Sequence, residues 1–163
     1  MGYIFAPLLV IAIFTGIFSY QSANLNQSAV QNSVTQSAND GQRFIAYRNA
    51  VQSYLQANPA FTGAVSNAML TAQGNQFSTT FLAKVANVIT VTGVSGRIIT
   101  CYGNLNASSI SSAMVTSQGD ASIGLVGAGN TWTSLAPGVN AASQPLATTI
   151  TSGDVVSVIQ IGS

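Results

Sequence analysis

The side chains able to move protons or carry charge are few enough to take one by one. The 163 residues contain no His; Lys and Arg together number 4, Asp and Glu together 3. They are Arg43, Arg48, Lys84 and Arg97 against Asp40, Asp120 and Asp154, with no Glu anywhere. A Ser or Cys nucleophile usually relies on a His base, and glycoside hydrolysis on two facing carboxyl groups. This chain lacks the first and scatters its three carboxylates. A single Cys without His cannot close a zinc site. A Ser–Lys pair in S-x-x-K spacing needs Ser at position 81, where the chain has Phe81. Lys84, the lone lysine, is instead expected to solvate or cap the edge of the strand it precedes. Asp40-Gly41, Gly119-Asp120 and Gly153-Asp154 set every carboxylate beside a glycine, the signature of turn and cap residues. No catalytic residue, metal ligand, cofactor or small-molecule ligand is expected, and the chain reads as a non-enzyme.

Two further strings invite a chemical reading and fail it. Gly124-Leu-Val-Gly127-Ala-Gly129 has the wrong glycine order for a dinucleotide fingerprint and opens no helix, so it reads as a turn between strands. Asn26-Gln-Ser28 and Asn106-Ala-Ser108 fit the glycosylation triplet, but in a chain this rich in Asn and Ser such matches arise by chance. Cys101 lies in the apolar run Ile98–Tyr102 and is expected to be a buried strand residue. It has no partner for an intrachain disulfide, and only Arg97 stands near in sequence to activate its thiol.

Charged residues make up 4% of the chain, against roughly 25% in an average domain, and Ser, Thr, Asn and Gln take their place. A net charge of +1 cannot displace the counterions of nucleic acid, which excludes that partner. Near-zero charge also favours association, so a tethered or assembled protein, self-association included, suits this surface.

The elements that must carry these residues begin with an uncharged run, Tyr3–Tyr20 (YIFAPLLVIAIFTGIFSY). Eighteen residues rise about 27 Å as a helix, just enough for a hydrocarbon layer of about 30 Å. Leu8, Ile11 and Phe14 carry the apolar bulk, while Tyr3 and Tyr20 stand where aromatic residues favour the headgroup level. Pro7 falls in the first turn or so, where a missing N–H costs least. A run this long without a basic flank is expected to be an uncleaved anchor rather than a signal peptide. No Lys or Arg lies near enough to set its direction.

Residues 1–20 are thus expected to form a transmembrane anchor and 21–42, rich in Gln, Asn, Ser and Ala, a polar neck. Residues 43–163 are expected to form an α+β domain. Phe44, Tyr47, Val51 and Tyr54, with Ile45 and Leu55 alongside, mark one face of an amphipathic helix. Its span is 41–57, or 43–57 counted from the first strong signal. Asp40 can cap it, Gly41 is its expected weak point, and Asn58-Pro59 stops it. Val85–Thr92 and Arg97–Tyr102 flank a Gly-containing turn and predict a hairpin. Asn106–Gln118 predicts a short helix with Asn106 as N-cap and Ile110, Ala113, Met114 and Ser117 on one face. Ser122–Val126 and Asn130–Leu135 predict a second strand pair. Asp154–Ile161 predicts a last strand with Val156, Val158 and Ile161 inward. The fold expected is therefore an N-terminal transmembrane helix, an amphipathic helix, and a small antiparallel β-rich domain of about five strands with one short helix.

Arg43–Gly63 (RFIAYRNAVQSYLQANPAFTG) carries a more specific signal. Tyr47-Arg48-Asn49-Ala50-Val51, Tyr54, Asn58-Pro59 and Gly63 resemble the pattern that follows the membrane anchor in PilM proteins of conjugative thin-pilus and type IVb pilus systems. The closing strand after Gly153-Asp154 is similar too. The resemblance implies a single-pass protein of the bacterial inner membrane with its bulk in the periplasm. It also implies a place in pilus biogenesis, at the base of the assembly machine, with the bilayer and other pilus-assembly proteins or pilin as partners. It supplies no catalytic residues. The same name is used for an unrelated actin-like protein of other pilus systems, but no P-loop or phosphate-binding constellation is visible here. The alternative is a minor pilin, whose apolar helix, amphipathic extension and β-rich head have the same order. Pilins characteristically carry a basic leader and a Glu five residues beyond a processing site, and this chain has no Glu.

Overall fold

Phe44, Tyr47, Val51 and Leu55 recur at three- and four-residue spacing, so a helix gathers them onto one side. In the computed structural model, which describes residues 39–93, 96–138 and 142–162, this helix (α1) is seen over 39–57. It ends where expected, before Pro59. Phe44 and Val51 are fully buried, and Tyr47 and Leu55 nearly so. Asn58 closes the helix, its backbone and side-chain N–H groups both donating to the Tyr54 carbonyl, at 2.9 and 3.0 Å.

The face α1 covers is a six-stranded antiparallel sheet. Its strands are β1 (Val85–Thr92), β2 (Gly96–Gly103), β3 (Ile123–Val126), β4 (Thr131–Ser134), β5 (Gln144–Pro145) and β6 (Val155–Ile161). Their order across the sheet is β1-β2-β6-β3-β4-β5. The closing strand β6 therefore lies at the centre, joining the β1–β2 hairpin to the β3–β4 hairpin. The register sets Asn87 opposite Cys101, Cys101 opposite Ser157, and Ser157 opposite Ile123. Side chains alternate along a strand, so these positions share a face with Ile89, Ile99 and Val155, and α1 packs on it. The opposite face builds a smaller core from Val126, Trp132 and Val156, closed by Leu146 and Ile150. Gly124 makes room for it: a Cβ there would lie 2.6 Å from the Trp132 ring.

Three short helices fill the connections: α2 (Asn67–Ala72), α3 (Thr79–Leu82) and α4 (Ala107–Thr116). The hydroxyls of Ser66 and Ser78 and the side-chain carbonyl of Asn106 cap them, accepting from the N–H of Met69, Phe81 and Ser109.

Several expectations change. The domain has three short helices and six strands among the described residues, where one helix and about five strands were expected. Asp40 is not a cap, because Asn39 and Asp40 are already helical. Gly41 is not a break: a Cβ there would collide with the Ser109 carbonyl and lie 2.8 Å from the Ala113 nitrogen, so this glycine lets α1 and α4 touch backbone to backbone. Strand β6 buries residues on both faces, Val155 and Ser157 on one and Val156 on the other, because a core packs on each side of the sheet; Val158 and Ile161 are only partly buried. Ser117 ends α4 as its C-cap. The anchor positions Tyr3, Leu8, Ile11, Phe14 and Tyr20 and the neck at 21–38 lie outside the described residues. Among the described residues no helix is long and apolar enough to cross a membrane.

Candidate interaction surface

The pattern in α1 points inward. The Tyr47 hydroxyl accepts a 2.6 Å hydrogen bond from the Asn87 side-chain amide. The same amide nitrogen donates to the Val65 carbonyl at 2.9 Å, and the Val65 N–H donates to the Asn87 side-chain oxygen at 2.8 Å. One buried amide thus ties α1, the connection after Pro59 and the edge strand β1 together, with both its N–H groups and its oxygen in use. Burial holds the Tyr47 hydroxyl neutral, its pKa pushed up to about 12 even though the Asn87 bond works the other way. Gly63 adds an isolated bridge: its N–H and carbonyl pair with those of Ile89 at 2.8 Å each. It does so at φ +96°, a conformation that L side chains rarely adopt.

Arg48 is buried too, and its guanidinium lies 2.6 Å from the Asp120 carboxylate. It also donates to the Asn49 side-chain oxygen at 3.1–3.2 Å. Asp120 accepts from the Ser122 N–H at 2.8 Å, closing the turn before β3. Burial raises the Asp120 pKa, but the Ser122 hydrogen bonds and Arg48 outweigh it, so the carboxyl titrates below its usual range. Ala50 and Val51 are buried, Tyr54 stacks edge-on against Phe61 at 5.2 Å, and Asn49, Asn58 and Pro59 are exposed. Tyr47, Arg48, Ala50 and Val51 thus lie buried between helix and sheet.

The other charges are mostly placed in the same way. Asp40 is buried and paired with Lys84 at 2.7 Å and, less closely, with Arg43 at 3.7 Å. Lys84, half-exposed before edge strand β1, also tethers the start of that strand to α1 through this pair. Cys101 is fully buried and its thiol pushed up to about 12, chiefly by loss of solvent, which leaves it unreactive. Asp154 stands at the start of β6, where burial raises its pKa. Among the described residues no group of acidic, Cys or His side chains could hold a metal ion.

The outward side of α4 carries no charge. Along α4, Ala107, Ser111 and Val115 stand one turn apart on the exposed side. Val115 is 79% exposed and Leu135, just past β4, 37%. Between them runs a groove made of two adjoining hollows that share Met114 and Leu135. One, of about 520 Å³, reaches Val115, Gln118 and Pro137. The other, of about 410 Å³, reaches Ile110 and Leu125. No charged residue lines either hollow. The groove is bordered by the end of α4, where the N–H groups of Gln118 and Gly119 donate back to the carbonyls of Val115 and Met114 at 3.1 and 2.9 Å. Sequence reading placed Ile110 and Met114 on a common face but could not reveal the groove, because Leu125, Leu135 and Pro137 reach it only through the sheet.

The PilM family model matches residues 10–158. No curated protein sequence matches the chain. Among solved structures, the fold is similar to the crystal structure of a protein PilM from Escherichia coli B7A. The TM-score is 0.55 at 16% sequence identity, covering 77% of this chain and 92% of that one.

Proposed function

The chain belongs to the PilM family, and from that premise we propose that it is a membrane-anchored, non-enzymatic component of a type IVb or thin-pilus assembly apparatus. In this reading Tyr3–Tyr20 inserts into the bacterial inner membrane as a single span. The α+β domain stands in the periplasm at the pilus base, and its partners are the bilayer and other pilus-assembly proteins or pilin. The observation that carries the reading is where the polar chemistry goes. Arg48, Asp120, Asp40, Lys84 and the Tyr47–Asn87 pair all join one element to another, while the outward face of α4 offers an uncharged groove. Such a groove, lined by a methionine and aliphatic side chains, suits docking of a protein surface.

The test is location. Filaments are sheared from cells, and the filament, membrane and soluble fractions are probed for the chain. Recovery with the membranes, and from purified pili only in traces, is the expected result. Stoichiometric amounts in purified pili would establish a minor pilin and overturn the machine component. A periplasmic reporter fused after Gln160 is expected to be active, and a silent reporter would overturn the orientation.

A further inference from the structure

We propose that the groove between α4 and the β3–β4 rim docks a second copy of this chain, the two α4 helices crossing antiparallel about a two-fold axis beside Val115. The inference rests on reading the groove as a docking surface and not on the role in pili.

Four observations fit a second copy. The first is charge. Around a two-fold axis a patch faces itself, so any net charge within it is opposed by its own kind. No charged residue lines this groove, and Asp120, which follows Gly119 at its end, is already held by Arg48. The second is shape. A surface that pairs with itself needs a projection and a recess side by side, and here Val115, 79% exposed, stands at the edge of a hollow of about 520 Å³ that Met114, Leu135 and Pro137 also line. The third is the stripe that Val115 belongs to. Ala107 and Ser111 continue it with small side chains, so two α4 backbones can approach closely, and antiparallel alignment sets opposite helix dipoles side by side. The fourth is the whole molecule: at a net charge of +1, two copies meet without long-range repulsion. Val115 and Leu135 are also two of the three large apolar residues left exposed in the described structure, so the contact covers most of that exposed bulk.

The experiment uses the full chain in whole cells. Ser111→Cys is introduced on the proposed contact stripe, and Ser53→Cys separately on the exposed side of α1, about 18 Å along that helix from its contact with α4. The native Cys101 is buried and does not compete. A membrane-permeant bis-maleimide is expected to give a dimer band with Ser111→Cys and none with Ser53→Cys. Adding Val115→Asp to Ser111→Cys sets two carboxylates against each other at the axis and is expected to reduce the band about tenfold or more. Val115→Lys should do the same. Co-expressing the Asp and Lys forms should restore the band, which only a contact of Val115 with its own counterpart produces. Sedimentation of the purified full chain should show the same loss and rescue. Val115 is so exposed that both variants are expected to keep the parental fold, read as an unchanged far-ultraviolet circular dichroism spectrum.

Equal crosslinking at both sites, none at either, or a dimer indifferent to Val115→Asp would overturn the proposal. So would a Ser111→Cys product that contains a different protein. All of these are read from the dimer and not from pilus assembly, so failure of the docking mode and failure of the pilus role are told apart.

Discussion

At the scale of single residues, the chemistry of this chain is used to join elements. Tyr47 is the clearest case. Its hydroxyl satisfies one of the two N–H groups of Asn87, whose other N–H and oxygen hold Val65. Tyr47→Phe keeps the ring contacts with Phe77 and Phe81 but strands one buried donor. A loss of about 1–2 kcal/mol is expected, read from chemical denaturation at neutral pH. The pH dependence follows from the same burial. The folded-state pKa of Tyr47, about 12, exceeds the ordinary value of 10.0, so the unfolded chain releases this proton first as pH rises. The contribution is intact below about pH 10 and is lost as pH climbs toward 12. Wild type should lose stability across that window, and Tyr47→Phe should show a correspondingly flatter profile. Equal slopes for the two proteins would contradict the assignment. Asp120 works in the opposite direction: its lowered pKa means the Arg48 pair supports the fold above the unfolded carboxyl range and is lost on acidification.

At the scale of elements, two positions in and around helices run against propensity, with opposite consequences. Gly41 sits inside α1, where Ala is ordinarily better by about 0.8–1 kcal/mol. Here the missing Cβ is the site of contact with α4, and the atoms in the way are largely backbone. Gly41→Ala is therefore expected to destabilise by about 1–3 kcal/mol, the range for overpacking, despite the gain in propensity. Thermal unfolding decides the sign. Gln118 is the converse. It follows the end of α4 at φ 56°, a left-handed conformation that glycine adopts at no steric cost. Gln118→Gly is expected to stabilise by about 0.5–1 kcal/mol, seen as a higher denaturation midpoint. Both effects belong to α4, the helix that also borders the apolar groove.

At the scale of the whole molecule, the central position of β6 makes the domain depend on its last strand. The β1–β2 pair and the β3–β4 pair meet only through Val155–Ile161, so the two hairpins cannot share a sheet until the chain is nearly complete. Contacts this distant in sequence favour a single cooperative transition over hairpin-by-hairpin unfolding. A fragment of residues 37–163 contains every residue of both cores. It is expected to unfold in one step, with circular dichroism and tryptophan fluorescence of Trp132 coinciding. It should stay in the soluble fraction while the full chain partitions with membranes. Separate transitions by the two probes would show that the hairpins are independent, and a full chain that stays soluble would remove the anchor.

Local pattern was enough to read α1 to its end at Pro59, the β1–β2 hairpin, the Asn106 cap of α4 and the burial of Cys101, because each follows from periodicity or turn chemistry within a few residues. The poverty of ionisable groups was equally plain, and the motif in α1 by itself pointed to the family. Long-range contact was needed for the rest. Nothing near Asp40 or Lys84 in sequence announces that they pair, and they lie 44 residues apart. Arg48 finds Asp120 at a separation of 72. Gly41 reads as a weak point until α4 is laid against it. The roles of β6 and of the groove also depend on which strands become neighbours. Sequence spacing determines what a segment can be alone; partner, face and exposed remainder are settled when distant segments compete for the same burial.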